Sequence, residues 1–140
     1  MKIKLLLLGV LILILASCGS SQRVGKTGAA KSARQLVTLS DEQQRKYDYF
    51  FLEATRLKGK KEYDAAFDLL KHCLTINPQA ASALYEISQY YMFLKQVPQG
   101  QAALEEAVES APDNYWYSQA LASLYQQQNE KEKAIGLLET

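Results

Sequence analysis

Residues 78–112 read PQAASALYEISQYYMFLKQVPQGQAALEEAVESAP, so this stretch begins and ends with prolines 34 residues apart (112 − 78 = 34). Small and large residues keep one order and spacing ahead of each proline, and again in the last part of the chain. The three copies are Phe50, Ala54, Leu57, Tyr63, Ala66, Leu70 and Cys73; Leu84, Ser88, Tyr91, Val97, Gly100, Leu104 and Ala107; and Ser118, Ala122, Tyr125, Lys131, Ala134 and Leu138. A recurrence of this length predicts an array of helical repeats.

The recurrent pattern resembles the tetratricopeptide repeat, in which an aromatic residue, Leu-Gly and tyrosine are followed by alanine, a bulky residue and proline. The resemblance is strongest at small residues, which the family places where two helices touch closely. These residues are Ala54, Ser88 and Ala122 on the first helices, and Ala66, Gly100 and Ala134 on the second helices. The resemblance is weaker at Glu53, where leucine is usual, at Lys131, where an aromatic residue is usual, and at Ser118.

The resemblance covers residues 47–140 and implies an all-α fold, an antiparallel helix-pair solenoid of about two and three-quarter repeats. The repeats lie near 47–80, 81–114 and 115–140, with the last one incomplete, in a domain of residues 41–140. Ser40 and Gln43 have the spacing of a capping box, so the first helix should begin at Asp41, and Gly59 should end it. The predicted helices are 41–58, 61–75, 80–94, 98–110, 114–127 and one from 130 onward.

The first 17 residues have the order of a secretory signal peptide. Lys2 and Lys4 precede an apolar run from Leu5 to Leu15, and two small residues follow it. An apolar helix of this length spans only about 16 Å, which is too short for the roughly 30 Å hydrocarbon core of a bilayer. We therefore expect the segment to be removed.

Leu15-Ala16-Ser17-Cys18 resembles the lipobox of bacterial lipoproteins. The resemblance implies that the Cys18 thiol is coupled to diacylglycerol, that cleavage occurs just ahead of Cys18, and that its amine usually receives a further acyl chain. Two or more chains give stable membrane anchoring. Residues 18–40 would be the lipidated cysteine and a flexible linker. An ordinary signal peptide that ends near a cysteine is the alternative.

The residues after Cys18 bear on location by resemblance to enterobacterial lipoproteins, in which an aspartate at this point retains the protein in the inner membrane. Gly19 and Ser20 follow here, which favours the outer membrane. No acidic cluster of the kind that directs some lipoproteins to the cell surface follows Cys18, which favours the periplasmic side.

Charge argues against nucleic acid as the partner of the repeats. Residues 47–140 hold eight Lys or Arg and thirteen Asp or Glu, a net charge of −5 (8 − 13), whereas nucleic-acid binding draws on basic side chains.

Candidates for catalysis are few. His72 is the one histidine of the chain, so a site with several imidazole ligands is excluded, and Cys73 occupies a small-residue position that predicts a buried structural thiol. Glu105, Glu106 and Glu109 are interpreted as an exposed, solvated helix face rather than an ion site. We therefore predict no enzyme activity, no metal and no cofactor.

In tetratricopeptide repeats the first helix of each pair lines a concave groove. Matching these positions one by one gives Phe51, Thr55 and Lys58; Tyr85, Gln89 and Met92; and Trp116, Gln119 and Ser123. Aromatic rings beside amides and hydroxyls suit a bound peptide, because rings supply apolar contact and amides satisfy backbone groups. The alternative is that Trp116 and Tyr85 only pack between helices.

The sequence thus predicts a lipid-anchored scaffold that binds peptide segments or protein subunits in the bacterial cell envelope, such as an accessory lipoprotein of outer-membrane assembly or secretion. The last repeat has no following helix, so we expect Leu121, Leu124, Ile135, Leu137 and Leu138 to lack cover. A continuing chain or a homo-oligomer would supply it. The alternative function is the tethering region of a longer envelope protein whose enzyme domain lies beyond residue 140.

Overall fold

The first helix, α1, spans Asp41–Gly59 and begins where the sequence predicts. Ser40 Oγ accepts a hydrogen bond from the backbone N–H of Gln43, and Gln43 Oε1 accepts one from the backbone N–H of Ser40. This reciprocal capping box satisfies N–H groups that the first turn leaves unpaired, and Asp41 and Glu42 complement the helix dipole.

The structure is a computed structural model that describes residues 37–139. The predicted signal peptide, Cys18 and the linker as far as residue 36 lie outside the described residues. Just ahead of the capping box, the backbone N–H of Val37 donates to Gln79 Oε1 at 3.3 Å.

Within residues 37–139 the structure has five further helices and no strand, which confirms the all-α prediction. They are α2 (Tyr63–Ile76), α3 (Ala81–Phe93), α4 (Val97–Ser110), α5 (Tyr115–Gln127) and α6 (Lys131–Leu138). Each is within three residues of its predicted bounds. The backbone carbonyl of Tyr47, near the start of α1, accepts a hydrogen bond from Cys73 Sγ, near the end of α2. The helices of this pair are therefore antiparallel.

Two hydrophobic clusters hold the helices together. The first lies among α1, α2 and α3 and contains Ala54, Leu57, Ala66, Leu70, Cys73, Ala80, Ala83, Ile87 and Tyr90. The second lies among α4, α5 and α6 and contains Leu104, Leu121, Ala122, Leu124, Tyr125 and Ala134. Side chains of the α3–α4 pair also flank both clusters, so this pair joins the two cores. Each helix pair buries its apolar face on the next, as in a solenoid.

The recurring small residues lie where the helices approach closely, as predicted. Ala54, Ser88 and Ala122 are exposed by no more than 2%. A Cβ atom at Gly100 would stand only 2.8 Å from Met92 Cε, so a larger residue there would require the flexible Met92 side chain to move. The 34-residue spacing therefore reflects a steric requirement of the helix pair.

The prediction that the last leucines lack cover is only partly right. Leu121 and Leu124 are buried, because they point into the second core with Leu104 and Ala134. Ile135 and Leu138 on α6 are exposed by 56% and 45%. Among the residues predicted to lack cover, the exposed ones thus lie on α6 and not on α5.

The turns inside the three helix pairs repeat the same backbone conformation. Lys61, Lys95 and Asn129 have φ values of 66°, 62° and 64°, and they too are 34 residues apart. The next backbone N–H in each turn bonds five residues back, for example Glu62 to the Leu57 carbonyl at 3.0 Å, which is a Schellman motif. Helix α1 ends at Gly59, as the sequence predicts, and the left-handed residue of the turn is Lys61, two positions later.

Candidate protein-binding groove

The first helices of the three pairs, α1, α3 and α5, lie side by side. The Tyr47 and Ser82 hydroxyls share a hydrogen bond of 2.9 Å, and Lys58 Nζ donates to Glu86 Oε2 at 2.6 Å, so α1 is joined to α3 at both ends. Between α3 and α5, the rings of Tyr85 and Tyr117 stack with centroids 4.9 Å apart. The hydrogen bond to Glu86 raises the pKa of the Lys58 ammonium group, which keeps this lysine charged.

A cleft of about 510 Å³ opens between α3 and α5, and it brings together three of the predicted groove residues, Tyr85, Gln89 and Met92. The other lining residues are Lys95, Val97, Leu104, Ala120, Leu124, Gln127 and Gln128. The apolar lining comes from the second core and its flanks, whereas amide groups come from α3 and from the end of α5. Gln128 Nε2 also donates to Gln101 Oε1 at 2.9 Å, which ties α4 to the end of α5.

Phe51 lies on α1 rather than in this cleft. Its ring stacks on Tyr47 with centroids 5.9 Å apart, and its half-buried side chain packs against the first core. Thr55 is exposed, and its hydroxyl donates to the Phe51 carbonyl within the same helix. Neither residue lines the cleft, because the cleft lies at the junction of the second and third helix pairs.

Trp116 is in the first turn of α5, also outside the cleft. Asn114 caps this helix by accepting from the Trp116 backbone N–H at 3.1 Å, and the indole ring is 73% exposed. It makes an edge contact with Tyr115 and lines a shallow hollow of about 630 Å³ formed by residues 110–116. The alternative considered from the sequence, that Trp116 and Tyr85 pack between helices, therefore does not hold for the Trp116 indole, whereas the Tyr85 ring does stack on Tyr117 between α3 and α5.

Gln119 and Ser123 have local partners on α5. Gln119 Oε1 accepts a hydrogen bond from the Tyr115 hydroxyl at 2.7 Å, and Ser123 Oγ donates to the Gln119 carbonyl at 2.9 Å. The predicted groove set is thus divided among three places: Phe51 on α1, the cleft, and the part of α5 outside the cleft, where Trp116 is exposed and Gln119 and Ser123 are half-buried.

A second cavity, of about 230 Å³, was not anticipated from the sequence. It is lined by Lys58, Tyr63, Gln89, Tyr90 and Phe93, so only Lys58 and Gln89 belonged to the predicted set. The Tyr90 hydroxyl is buried and has no hydrogen-bond partner among residues 37–139, and burial raises its pKa. The spacing pattern gave Tyr63 as a repeat position. Phe93 at the end of α3 had no counterpart in it.

The candidate residues for catalysis do not form a site. Cys73 is fully buried, and burial raises the pKa of its thiol to about 11, so the thiolate nucleophile is scarce at neutral pH. His72 is exposed beside the Phe50 ring. Within residues 37–139, no group of His, Cys, Asp and Glu side chains is arranged to hold a metal ion. Among α1 to α6, none is both long and apolar enough to cross a bilayer.

Glu105 differs from the sequence-based interpretation, which assigned it to a solvated face. It is half-buried, and its Oε1 atom accepts hydrogen bonds from the Tyr125 hydroxyl at 2.8 Å and from Gln101 Nε2 at 2.7 Å. Glu105 therefore links α4 to α5, because the close packing of these helices brings the phenol onto the carboxylate.

The fold and part of the sequence match known proteins. Residues 57–120 match the tetratricopeptide repeat family, and no curated protein sequence matches the chain. A crystal structure of MamA aligns with a TM-score of 0.59 at 17% identity, covering 66% of this chain and 54% of that one. The structure of MamA from residue 41 to the end, from Desulfovibrio magneticus RS-1, aligns with a TM-score of 0.54 at 22% identity, covering 70% and 63%.

A chain of the CopN-Scc3 complex aligns with a TM-score of 0.57 at 15% identity, covering 94% of this chain and 84% of that one. The alignment with this chain spans 54% of the length of the first MamA structure and 63% of the length of the second. At these identities the likeness concerns the fold. Together with the family match over residues 57–120, it shows an all-α, tetratricopeptide-like solenoid, a fold that suggests a protein-interaction scaffold.

Proposed function

We propose that this protein is a lipid-anchored scaffold of the bacterial cell envelope, and that its cleft between α3 and α5 binds an extended segment of a protein partner. The proposal assigns no reaction to the chain. An accessory role in outer-membrane assembly or secretion is the specific setting that we propose for it.

The cleft is the observation that carries the binding function. It combines an apolar lining from Met92, Leu104 and Leu124 with the amide groups of Gln89 and Gln127. An extended peptide needs both features, since its side chains seek apolar contact and its backbone N–H and C=O groups need hydrogen-bond partners when they leave water. The likeness to a chain of the CopN-Scc3 complex supports a protein as the partner.

A binding experiment tests the cleft. Peptides selected from a random library on the full chain should lose about tenfold in affinity when Gln89 and Met92 are both replaced by alanine, equivalent to about 1.4 kcal/mol. The physical reason is the loss of one apolar contact and one amide partner in the same cleft. Isothermal titration calorimetry measures the change.

Two other substitutions serve as controls. Leu52→Ala, on the exposed surface of α1, should leave the affinity unchanged, since its side chain is 68% exposed and does not line the cleft. Trp116→Ala should change the affinity less than the cleft variant. A loss of binding with Trp116→Ala, together with full binding by the cleft variant, would move the site to the exposed surface of α5 and refute this assignment.

The anchor is proposed from the sequence Leu15-Ala16-Ser17-Cys18. Intact-mass analysis of the chain, expressed in a bacterium with its lipoprotein pathway, should give a polypeptide that begins at Cys18 and carries diacylglycerol. Cys18→Ser should abolish the added mass, because the hydroxyl is a poorer nucleophile than the thiol. A free Cys18 thiol in the wild-type chain would rule out the anchor without affecting the cleft.

A further inference from the structure

Two neighbouring turns expose apolar side chains at one edge of the solenoid. We define this loop edge as residues 60–63, at the α1–α2 turn, and residues 93–97, at the α3–α4 turn. Its apolar side chains are Tyr63, Phe93, Leu94 and Val97, exposed by 47%, 74%, 49% and 36%. Tyr63 and Phe93 line the same cavity, so the two turns are adjacent. Single exposed apolar residues are common, but four on adjoining turns form a patch that indicates a contact surface.

The same edge carries three lysines, Lys60, Lys61 and Lys95, against one acid, Glu62, which gives a net charge of +2 (3 − 1). None of the three ammonium groups forms an ion pair within residues 37–139. Of the further acids, Asp64 lies in the first turn of α2, Glu86 is held by Lys58, and Glu53 pairs with Arg56 and also interacts electrostatically with Lys60. The positive charge therefore stands on the same two turns as the apolar patch and is available to an anionic surface.

Two of these lysines stand at backbone positions where glycine would be less strained, so the turn itself does not require lysine. Lys61 and Lys95 have positive φ values, which glycine adopts without strain and other residues adopt at a cost. The third turn of the same kind has Asn129 at this position, and its neighbours Gln128 and Glu130 are polar. The apolar and basic combination thus belongs to the first two turns and is not a requirement of the turn itself.

The opposite edge of the solenoid provides an internal comparison. Its turns, residues 77–80 and 111–114, contain no Lys or Arg and one acid, Asp113. Trp116 follows the second of these turns and is as exposed as Phe93, at 73% against 74%. The two edges therefore present aromatic rings of equal exposure in opposite electrostatic surroundings.

From this juxtaposition we infer that the loop edge docks on the surface of an anionic phospholipid bilayer. Lysines near such a surface are attracted to the headgroups, and aromatic and aliphatic tips enter the interfacial layer. The two contributions add, because the apolar tips and the ammonium groups stand on the same turns. The inference does not depend on the proposed lipid at Cys18, although a lipid there would hold the loop edge close to the bilayer.

Tryptophan fluorescence tests the inference on the full chain, which contains one tryptophan, Trp116. The probe variant combines Phe93→Trp with Trp116→Phe, so that its single indole stands at the loop edge, and a chain that keeps Phe93 and Trp116 is the matched control. Both chains also carry Cys18→Ser, which removes the lipid without touching the loop edge. They are mixed with vesicles of phosphatidylglycerol and phosphatidylcholine whose acyl chains are brominated, and with vesicles of brominated phosphatidylcholine alone.

The indole at position 93 should shift to shorter wavelength and be quenched at least twofold on the anionic vesicles, whereas Trp116 should be quenched little. Replacing Lys60, Lys61 and Lys95 by glutamine should raise the vesicle concentration needed for half-maximal quenching by roughly a hundredfold, because each lysine contributes about a fivefold factor. Circular dichroism establishes that each variant is folded.

The inference would be overturned by equal quenching of both indoles or by no quenching at position 93. It would also be overturned if position 93 were quenched equally on vesicles with and without anionic lipid. A blue shift at position 93 that grows with chain concentration in the absence of vesicles would instead identify a second copy as the occupant and would also overturn it. Every chain in this experiment lacks the Cys18 thiol, so the result does not depend on whether Cys18 is lipidated. The lipid anchor is tested only by the intact-mass analysis.

Discussion

Replacing Ile87 by alanine is expected to lower the free energy of unfolding by about 2–5 kcal/mol. Ile87 is 2% exposed on α3 and lies in the first core with residues of α1 and α2, such as Leu57 and Leu70. Removing its methyl and methylene groups leaves a cavity between two helix pairs that cannot close without moving α3. The free energy of unfolding of a small domain is only about 5–15 kcal/mol, so this single change should leave the array close to unfolding.

Urea unfolding followed by circular dichroism measures the loss. The matched control is Ile135→Ala on α6, where the same side chain is 56% exposed, and a change of about 0.5 kcal/mol or less is expected there. Similar losses at the two positions would contradict the packing of α3 against the first helix pair.

Alkaline pH is expected to destabilise the fold through Tyr125. Its side chain is 9% exposed, and its hydroxyl donates to Glu105. Burial, followed by this hydrogen bond to a carboxylate, raises the pKa of Tyr125 to about 12, against about 10 in an unfolded chain. Since the folded state keeps the proton longer, the stabilisation is complete below pH 10 and is lost as the pH rises from 10 to 12. The loss amounts to roughly 2–3 kcal/mol.

Tyr125→Phe keeps the ring and removes the titrating hydroxyl, so the variant should lose less stability than the wild type over this range. Urea unfolding at several pH values between 9 and 12 gives the two profiles. Cys73→Ala is a second comparison, because burial also raises the pKa of that thiol, to about 11, and its contribution is lost earlier, from pH 9. If the stability of the wild type and of Tyr125→Phe fell in parallel with rising pH, the pKa of Tyr125 would not be raised by burial and by the hydrogen bond to Glu105.

The sequence was most informative where the fold depends on close helix approach. The 34-residue spacing predicted small residues at fixed positions, and Ala54, Ser88 and Ala122 are indeed buried. Such a requirement can be read from sequence because only small side chains let two helices of a pair touch. The cap at Ser40 was equally readable, since it depends on two residues three positions apart.

The arrangement of the candidate groove was less predictable. The sequence comparison assigned both Trp116 and Met92 to the groove, yet Met92 lines the cleft and Trp116, which the 34-residue period aligns with Ser82 (116 − 34 = 82), does not. Which side chains share a cleft depends on how one helix pair is set against the next, and a repeat length carries no information about that angle. The same reason explains why the burial of Leu121 and the contact between Glu105 and Tyr125 were missed.

The cleft and the second core use the same side chains. Leu104 and Leu124 belong to both, and Tyr85 and Met92 flank the core from α3. Detachment of α5 and α6 from the rest of the array would therefore dismantle the proposed binding site before the first core is affected. A ligand in the cleft would bind only the state in which α5 and α6 are packed on the array, so binding would stabilise that state. By the same linkage, any change that loosens α5 and α6 would lower the affinity for the ligand.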